Sequence, residues 1–479
     1  MVNVRAPEPC SGSASRLVAA LRRAGGAGLL TALAVAPLAF GGTRPAAFWA
    51  VMTLVGLAAA CWLASLPAGR RGAALPAGLL PGLALLLVSL LPWTGGWTEP
   101  TPEPAFTAEH FARVAARWPA SVAGFDRASA LVLPAGLGLA LAMTADLARE
   151  RFWLVAFAAV IALAATGIAL LAVAQHLTHA PGMFWRDEGR LPGRFWGTFF
   201  HHTSAGAYLN TAWPLAAGLV ALRVRGTWCF AIALVLLLAA HATHVSRFPQ
   251  VAALTAGIGL LARMGWLRAP RPRLVLAGIL GTSLLLGIAT GRLGEIAERW
   301  GQVRPAAGAP QPVPPVAEWP RLVRADLLIP NRYQTGPAGD RGEAQQAALR
   351  SLADRPWTGH GPGNWRAAAA AHSGDPYVRT FYLYLQFAHQ DFLQAGAERG
   401  LPGIGAVLLL LVPAAILPFF LNPVGAPAVL GVCAAAGLGA VLLQSLLDFP
   451  LQIPAVALNA HVLAGLAWAG LNPPPSPSS

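Results

Sequence analysis

Two stretches of this chain, Phe152–Ala174 and Leu401–Leu421, contain no charged residue at all. Each is long enough to cross ~30 Å of hydrocarbon as a helix rising ~1.5 Å per residue. Hydrocarbon offers no water to pair with backbone N–H and C=O groups, so a spanning segment must satisfy them within itself or within a closed barrel. The apolar residues come in blocks rather than alternating, which selects helices. Similar blocks recur near 24–42, 46–67, 73–93, 128–145, 203–222, 227–245, 248–262, 274–290, 424–447 and 452–471. The expected fold class is all-α: a polytopic membrane protein of about 12 transmembrane helices with one large loop outside the membrane.

Composition closes the alternatives. With 56% hydrophobic and only 11% charged residues, a soluble chain of this length lacks the charge to cover its surface. The net charge of +14 raises the question of nucleic acid. All 34 basic residues, however, are arginines scattered singly or in pairs between apolar blocks, with no basic run or face, which argues against it. Cys10, Cys61, Cys229 and Cys433 show no CxxC spacing, so neither structural zinc nor a disulfide scaffold is indicated.

Arginine placement sets the expected orientation. With the N-terminus inside, the N-terminal tail and short inner connections hold 14 arginines, and the short outer connections hold only Arg44 and Arg247. Connections 94–127, 175–202 and 291–400 then lie outside, in the periplasm of a cell with an inner membrane. The expected organisation is an N-terminal transmembrane bundle (1–290), a periplasmic loop domain (291–400), and C-terminal helices with a tail (401–479).

Four polar constellations interrupt the apolar pattern, all on the outer side. Arg194-Phe-Trp-Gly197 leads through Thr-Phe-Phe to His201-His202 at the start of a span. His244-Val-Ser246-Arg247 joins two short spans; a charge at that depth is costly and usually partnered. In the long loop, Arg341 is followed by Asp354-Arg355-Pro356-Trp357-Thr-Gly359-His360-Gly361-Pro-Gly363, whose glycines permit a tight turn able to hold an anion on its N–H groups. Fourth is His389-Gln390-Asp391-Phe-Leu-Gln394, followed by Glu398-Arg399-Gly400. A helix through Tyr382–Arg399 would put His389, Leu393 and Gly396 on nearly one face. Imidazole titrates near neutrality and is the natural general base there.

The order of these pieces resembles the O-antigen ligase/polymerase superfamily of bacterial membrane glycosyltransferases. The resemblance runs from Gly193-Arg194 to the last span and includes Asp448-Phe-Pro-Leu-Gln-Ile-Pro454. Gln390 stands where an asparagine is usual, His201-His202 replace an asparagine-bearing stretch, and Phe248-Pro249-Gln250 follow Ser246-Arg247 in place of small or aromatic residues.

The resemblance implies a C-type glycosyltransferase architecture and a metal-independent reaction without cofactor. A glycan passes from an undecaprenyl diphosphate carrier to an acceptor hydroxyl, of lipid A core or similar, on the periplasmic face. His389 would be the catalytic base; Arg194, Arg247 and Arg341 would bind the diphosphate; Asp391, Gln394 and Glu398 would support them. The implied partners are the polyprenyl-diphosphate-linked glycan, a glycolipid or glycan acceptor, and membrane lipids. A surface polysaccharide polymerase of the same family is an alternative reading, and a lipid-linked glycan flippase is one from another class. The spans carry almost no ionisable residue at mid-depth, where transport pathways usually place them.

Overall fold

The computed structural model describes residues 12–66, 77–91, 127–186, 195–244, 246–264, 339–363, 387–421 and 425–471, with single positions at 281, 285, 288, 294, 365, 368 and 369. The helices are α1 (Gly12–Leu38), α2 (Pro45–Ala64), α3 (Leu80–Leu90), α4 (Arg127–Leu147), α5 (Arg151–Leu177) and α6 (His202–Ala221). They continue as α7 (Thr227–Ala240), α8 (Arg247–Met264), α9 (Gly339–Asp354), α10 (Asp391–Phe420), α11 (Ala426–Ser445) and α12 (Pro454–Leu471).

Among the described residues, seven helices are long and apolar enough to cross a membrane: α1, α2, α4, α5, α10, α11 and α12; α3 and α7 are apolar but shorter. The block expected at 274–290 falls mostly outside the described residues. Three boundaries differ from the sequence expectation. Helix α1 begins well before residue 24 and ends at Leu38, where Gly41 and Gly42 turn the chain. Helix α3 starts only at Leu80, with Pro81 in its first turn. Helix α10 runs back through the expected loop boundary to Asp391 and is broken, not ended, at Gly400.

Helices α11 and α12 occupy the centre. Hydrocarbon surrounds such bundles, so apolar area alone does not drive helix against helix; close backbone approach through small residues does. A Cβ on Gly470 would lie 3.0 Å from Gly431 Cα, and one on Gly465 would lie 2.6 Å from Thr144 Cβ. A few buried polar pairs add direction: Asn459 Nδ2 donates to Thr211 Oγ1 at 2.9 Å, joining α12 to α6.

The up-and-down course collects connections 39–44, 195–201, 241–246 and 446–453 at one end of the bundle. There, Cβ atoms built on Gly41 and Gly42 would strike Phe199 and Pro454, and Trp196 Nε1 donates to Thr243 Oγ1 at 2.9 Å. The opposite end is stapled by charge. Arg22 donates to Asp146 Oδ2 at 2.6 Å and to Glu150 Oε1 at 2.9 Å, while Trp62 Nε1 reaches the same Asp146 oxygen at 2.8 Å. Asp146 is buried. Arg22→Ala leaves that carboxylate short of a cation, so the expected loss is about 2 kcal/mol. It should show as a lower melting temperature in detergent, with chemistry at the far end unchanged per folded molecule.

Candidate functional site

The backbone around His389 departs from the expected helix. His389 has φ 52°, in the left-handed region, which costs a non-glycine residue ~1–2 kcal/mol. Such strain persists only where neighbours fix it, commonly at functional sites. The neighbours are visible. Gln345 Nε2 of α9 donates to the His389 carbonyl at 3.3 Å, and the Ala388 N–H donates to Gln394 Oε1 at 3.1 Å. Gln390, extended, caps α10 by accepting the Leu393 N–H on its side-chain oxygen. Asparagine is the stronger cap type, and the longer amide fills the same role here. His389 therefore sits just before α10 rather than on its face, which corrects the expected alignment with Leu393 and Gly396.

The imidazole packs edge-on against Phe449, with ring centroids 4.9 Å apart, and Phe449 also stacks on Phe387 and meets His201. His389 Nδ1 lies 3.9 Å from Asp448 Oδ1; the histidine side chain is 20% exposed and the aspartate 5%. Among the described residues Nδ1 has no hydrogen-bond partner, so a small ring rotation toward Asp448 would satisfy it. That carboxylate is held in turn by Gln444 Nε2 at 3.3 Å, which also donates to the Thr203 carbonyl of α6 at 3.1 Å. An imidazole with Nδ1–H turned to a buried carboxylate keeps its other nitrogen unprotonated and able to act as a base.

Asp391, Gln394 and Glu398 do converge, but as framework. Asp391 accepts the Leu451 N–H at 2.9 Å and Gln452 Nε2 at 3.0 Å, binding the start of α10 to the 448–453 connection that carries Asp448. Gln394 Nε2 bridges Glu398 Oε1 at 3.3 Å and Gln452 Oε1 at 3.4 Å.

The Gly/Pro turn has a different task from the one its glycines suggested. Pro402 has no N–H, and Leu401 N–H turns away to the Pro356 carbonyl at 2.6 Å, so the Ala397 and Glu398 carbonyls lose their helical partners. The turn replaces them: His360 N–H bonds to Ala397 O and Gly361 N–H to Glu398 O, both at 2.9 Å. Backbone groups of Gly363 and Trp365 hydrogen-bond the Glu398 carboxylate. The anion this turn holds is thus the protein's own Glu398, and the turn welds the loop to α10 at its break.

The three arginines fare differently. Arg341 lies on α9 one turn before Gln345, the residue whose side chain reaches the His389 carbonyl. Arg247 is the exposed first residue of α8, at the same end of the bundle but outside the His389 network. Arg194 lies outside the described residues. Near Arg247, His241 Nδ1 and His244 Nε2 share a hydrogen bond of 2.8 Å. Burial pushes His241 down to about 4 and His244 well below its ordinary value, with His241 and His202 adding like-charge repulsion at His244, so the pair is neutral.

Sequence reading treated Arg44 only as a loop charge. Its guanidinium lies 3.7 Å from the Phe40 ring centroid at this same end. Gln345, Gln444 and Gln452 were not singled out either; only Gln452 had a sequence signal, its place in the Asp448–Pro454 segment.

A family model described as O-antigen ligase matches residues 210–408, less than half of the chain. The matched segment contains Arg247, Arg341, His389, Asp391, Gln394 and Glu398, and ends before Asp448. It supports the O-antigen ligase/polymerase superfamily for this chain. No curated protein matches the chain by sequence.

Proposed function

Taking residues 210–408 as an O-antigen ligase domain, we propose that this chain transfers a glycan from an undecaprenyl diphosphate carrier to an acceptor hydroxyl at the periplasmic face of the inner membrane. The acceptor is lipid A core or a similar glycolipid. The observation that carries the reading is His389: 20% exposed, held in a strained backbone conformation, and 3.9 Å from the buried Asp448 carboxylate.

In the step itself, His389 Nε2 takes the proton of the acceptor hydroxyl as that oxygen bonds to the anomeric carbon. The bond from that carbon to the diphosphate oxygen breaks, and its electron pair leaves on the diphosphate. Arginine stays charged and grips phosphate oxygens bidentately, so Arg194, Arg247 and Arg341 hold the carrier and receive the developing charge. With the imidazole rotated to close the 3.9 Å gap, Asp448 would hold it in the productive tautomer, and Asp391 with Gln452 fixes the connection that delivers Asp448.

Asp448→Asn tests the pairing. The amide preserves size but not charge, so turnover should fall at least ~10-fold with the carrier KM little changed. A steady-state assay at varied carrier concentration reads this split. The acceptor class is tested by deleting the gene and analysing surface glycans. Full-length glycan that stays unattached supports the ligase; attached but shortened glycan would replace it with a polymerase.

A further inference from the structure

The connection between α7 and α8 is closed by a device the transfer chemistry does not use. Gln250, in the first turn of α8, donates from Nε2 to the His241 carbonyl at 2.9 Å and to the His244 carbonyl at 3.1 Å. Both carbonyls lie just beyond the end of α7, where no helical N–H can reach them. The imidazoles of the same two residues are hydrogen-bonded to each other and buried. From the other side, Asn210 Nδ2 of α6 donates to the Pro249 carbonyl at 2.9 Å. A Cβ on Gly206 would lie 2.5 Å from Pro249 Cβ and 3.0 Å from His244 Nε2, so α6 is seated against the turn. Asn210, Gln250 and the two imidazoles thus bond within the protein around the first turn of α8, whereas Arg247, at its first position, is exposed.

We infer that Gln250 is a positioning residue: by clamping the 241–244 backbone to α8 it fixes where Arg247 presents its guanidinium to the carrier diphosphate. The inference rests on the reading of Arg247 as a diphosphate ligand. The clamp explains the Phe248-Pro249-Gln250 sequence that follows Ser246-Arg247. Pro249 needs no N–H in a first helical turn and offers its carbonyl to Asn210, while Gln250 supplies two donors from one side chain. A planar fork recognising a diphosphate is sensitive to small displacements, so loss of the clamp should weaken binding without touching the base.

The test is a double-mutant cycle on the full-length protein in nanodiscs, reading the Kd for undecaprenyl diphosphate itself. Arg247→Ala and Gln250→Ala should each raise Kd about tenfold, and the double variant should be no weaker than Arg247→Ala alone. Gln250→Asn, which keeps the donors on a shorter arm, should show a smaller loss in the same direction, and it carries the test if the alanine variant does not accumulate. Unchanged Kd in either Gln250 variant, or full additivity with Arg247→Ala, overturns the inference and leaves the Arg247 reading standing. Wild-type Kd for Arg247→Ala removes the Arg247 reading and the inference together.

Discussion

His389→Ala should abolish glycan transfer while the protein still inserts, accumulates and binds its carrier. A positioned general base contributes ~10²–10⁴-fold, and its removal leaves the acceptor hydroxyl without that proton acceptor. The neighbouring carboxylate, Asp448, is only 5% exposed, against 20% for the His389 side chain. The variant removes an edge-on contact with Phe449 from a ring that belongs to no hydrophobic core cluster among the described residues. It should in fact relieve little of the backbone strain, since alanine at φ 52° is no easier than histidine. His360→Ala is the matched control. That ring bonds the Ser351 carbonyl at 3.1 Å within the docked loop, so its loss should cost some stability and leave turnover per folded molecule nearly intact. Assays of purified variants, normalised to folded protein, separate the two outcomes; near wild-type transfer by His389→Ala would end the assignment of the base.

The second large effect is expected at the weld between the loop and α10. Gly400 has φ 66° and ψ −166°, a region open essentially to glycine alone, and a Cβ there would lie 2.6 Å from both the Pro356 carbonyl oxygen and the Trp357 carbonyl carbon. Gly359, at φ 66°, would put a Cβ 2.3 Å from the Glu398 backbone. Both clashes are with main chain, so no rotamer relieves them. Backbone strain of ~1–3 kcal/mol and overpacking of similar size act together at each position. Gly400→Ala and Gly359→Ala should therefore detach the turn, lower the melting temperature sharply, and displace the segment that carries His389. Gly56 and Gly439 provide the contrast. A Cβ at either meets nothing within 4 Å, and alanine within those helices should be neutral or stabilising by up to ~1 kcal/mol. A Gly400→Ala variant that melts and turns over like wild type would show that the weld is dispensable.

Why some of this was legible in the sequence and some was not follows from the range of the interactions. Uncharged blocks such as Phe152–Ala174 reported their helices directly, because a spanning segment must be apolar along its own length. His389 and the Asp391–Glu398 run stood out because polar residues beside a span are unusual. The fate of Gly400 was not readable. Gly400-Leu-Pro402 looks like a helix stop, and only the distant Pro356–Gly361 backbone supplies the hydrogen bonds that let α10 continue through it. The left-handed His389 was equally hidden, since glutamine is a poor signal for a cap and Gln345 lies on another helix. The approach of Asp448 to within 3.9 Å of His389 is tertiary, and the 448–453 connection that brings it there is tied to Asp391. Gln250 looked like a departure from the family pattern until its two backbone acceptors were visible.

The proposed mechanism has His389 activate an acceptor hydroxyl against a carrier diphosphate held by arginines. Its most direct measurement is single-turnover release of free undecaprenyl diphosphate from a glycan-loaded carrier, with purified protein in nanodiscs, with and without a hydroxyl acceptor. The account predicts release by the wild-type protein that depends on the acceptor and matches the glycan transferred, and none above background by His389→Ala despite retained carrier binding. Release at the same rate by His389→Ala, or by wild type in the absence of any acceptor, would contradict it.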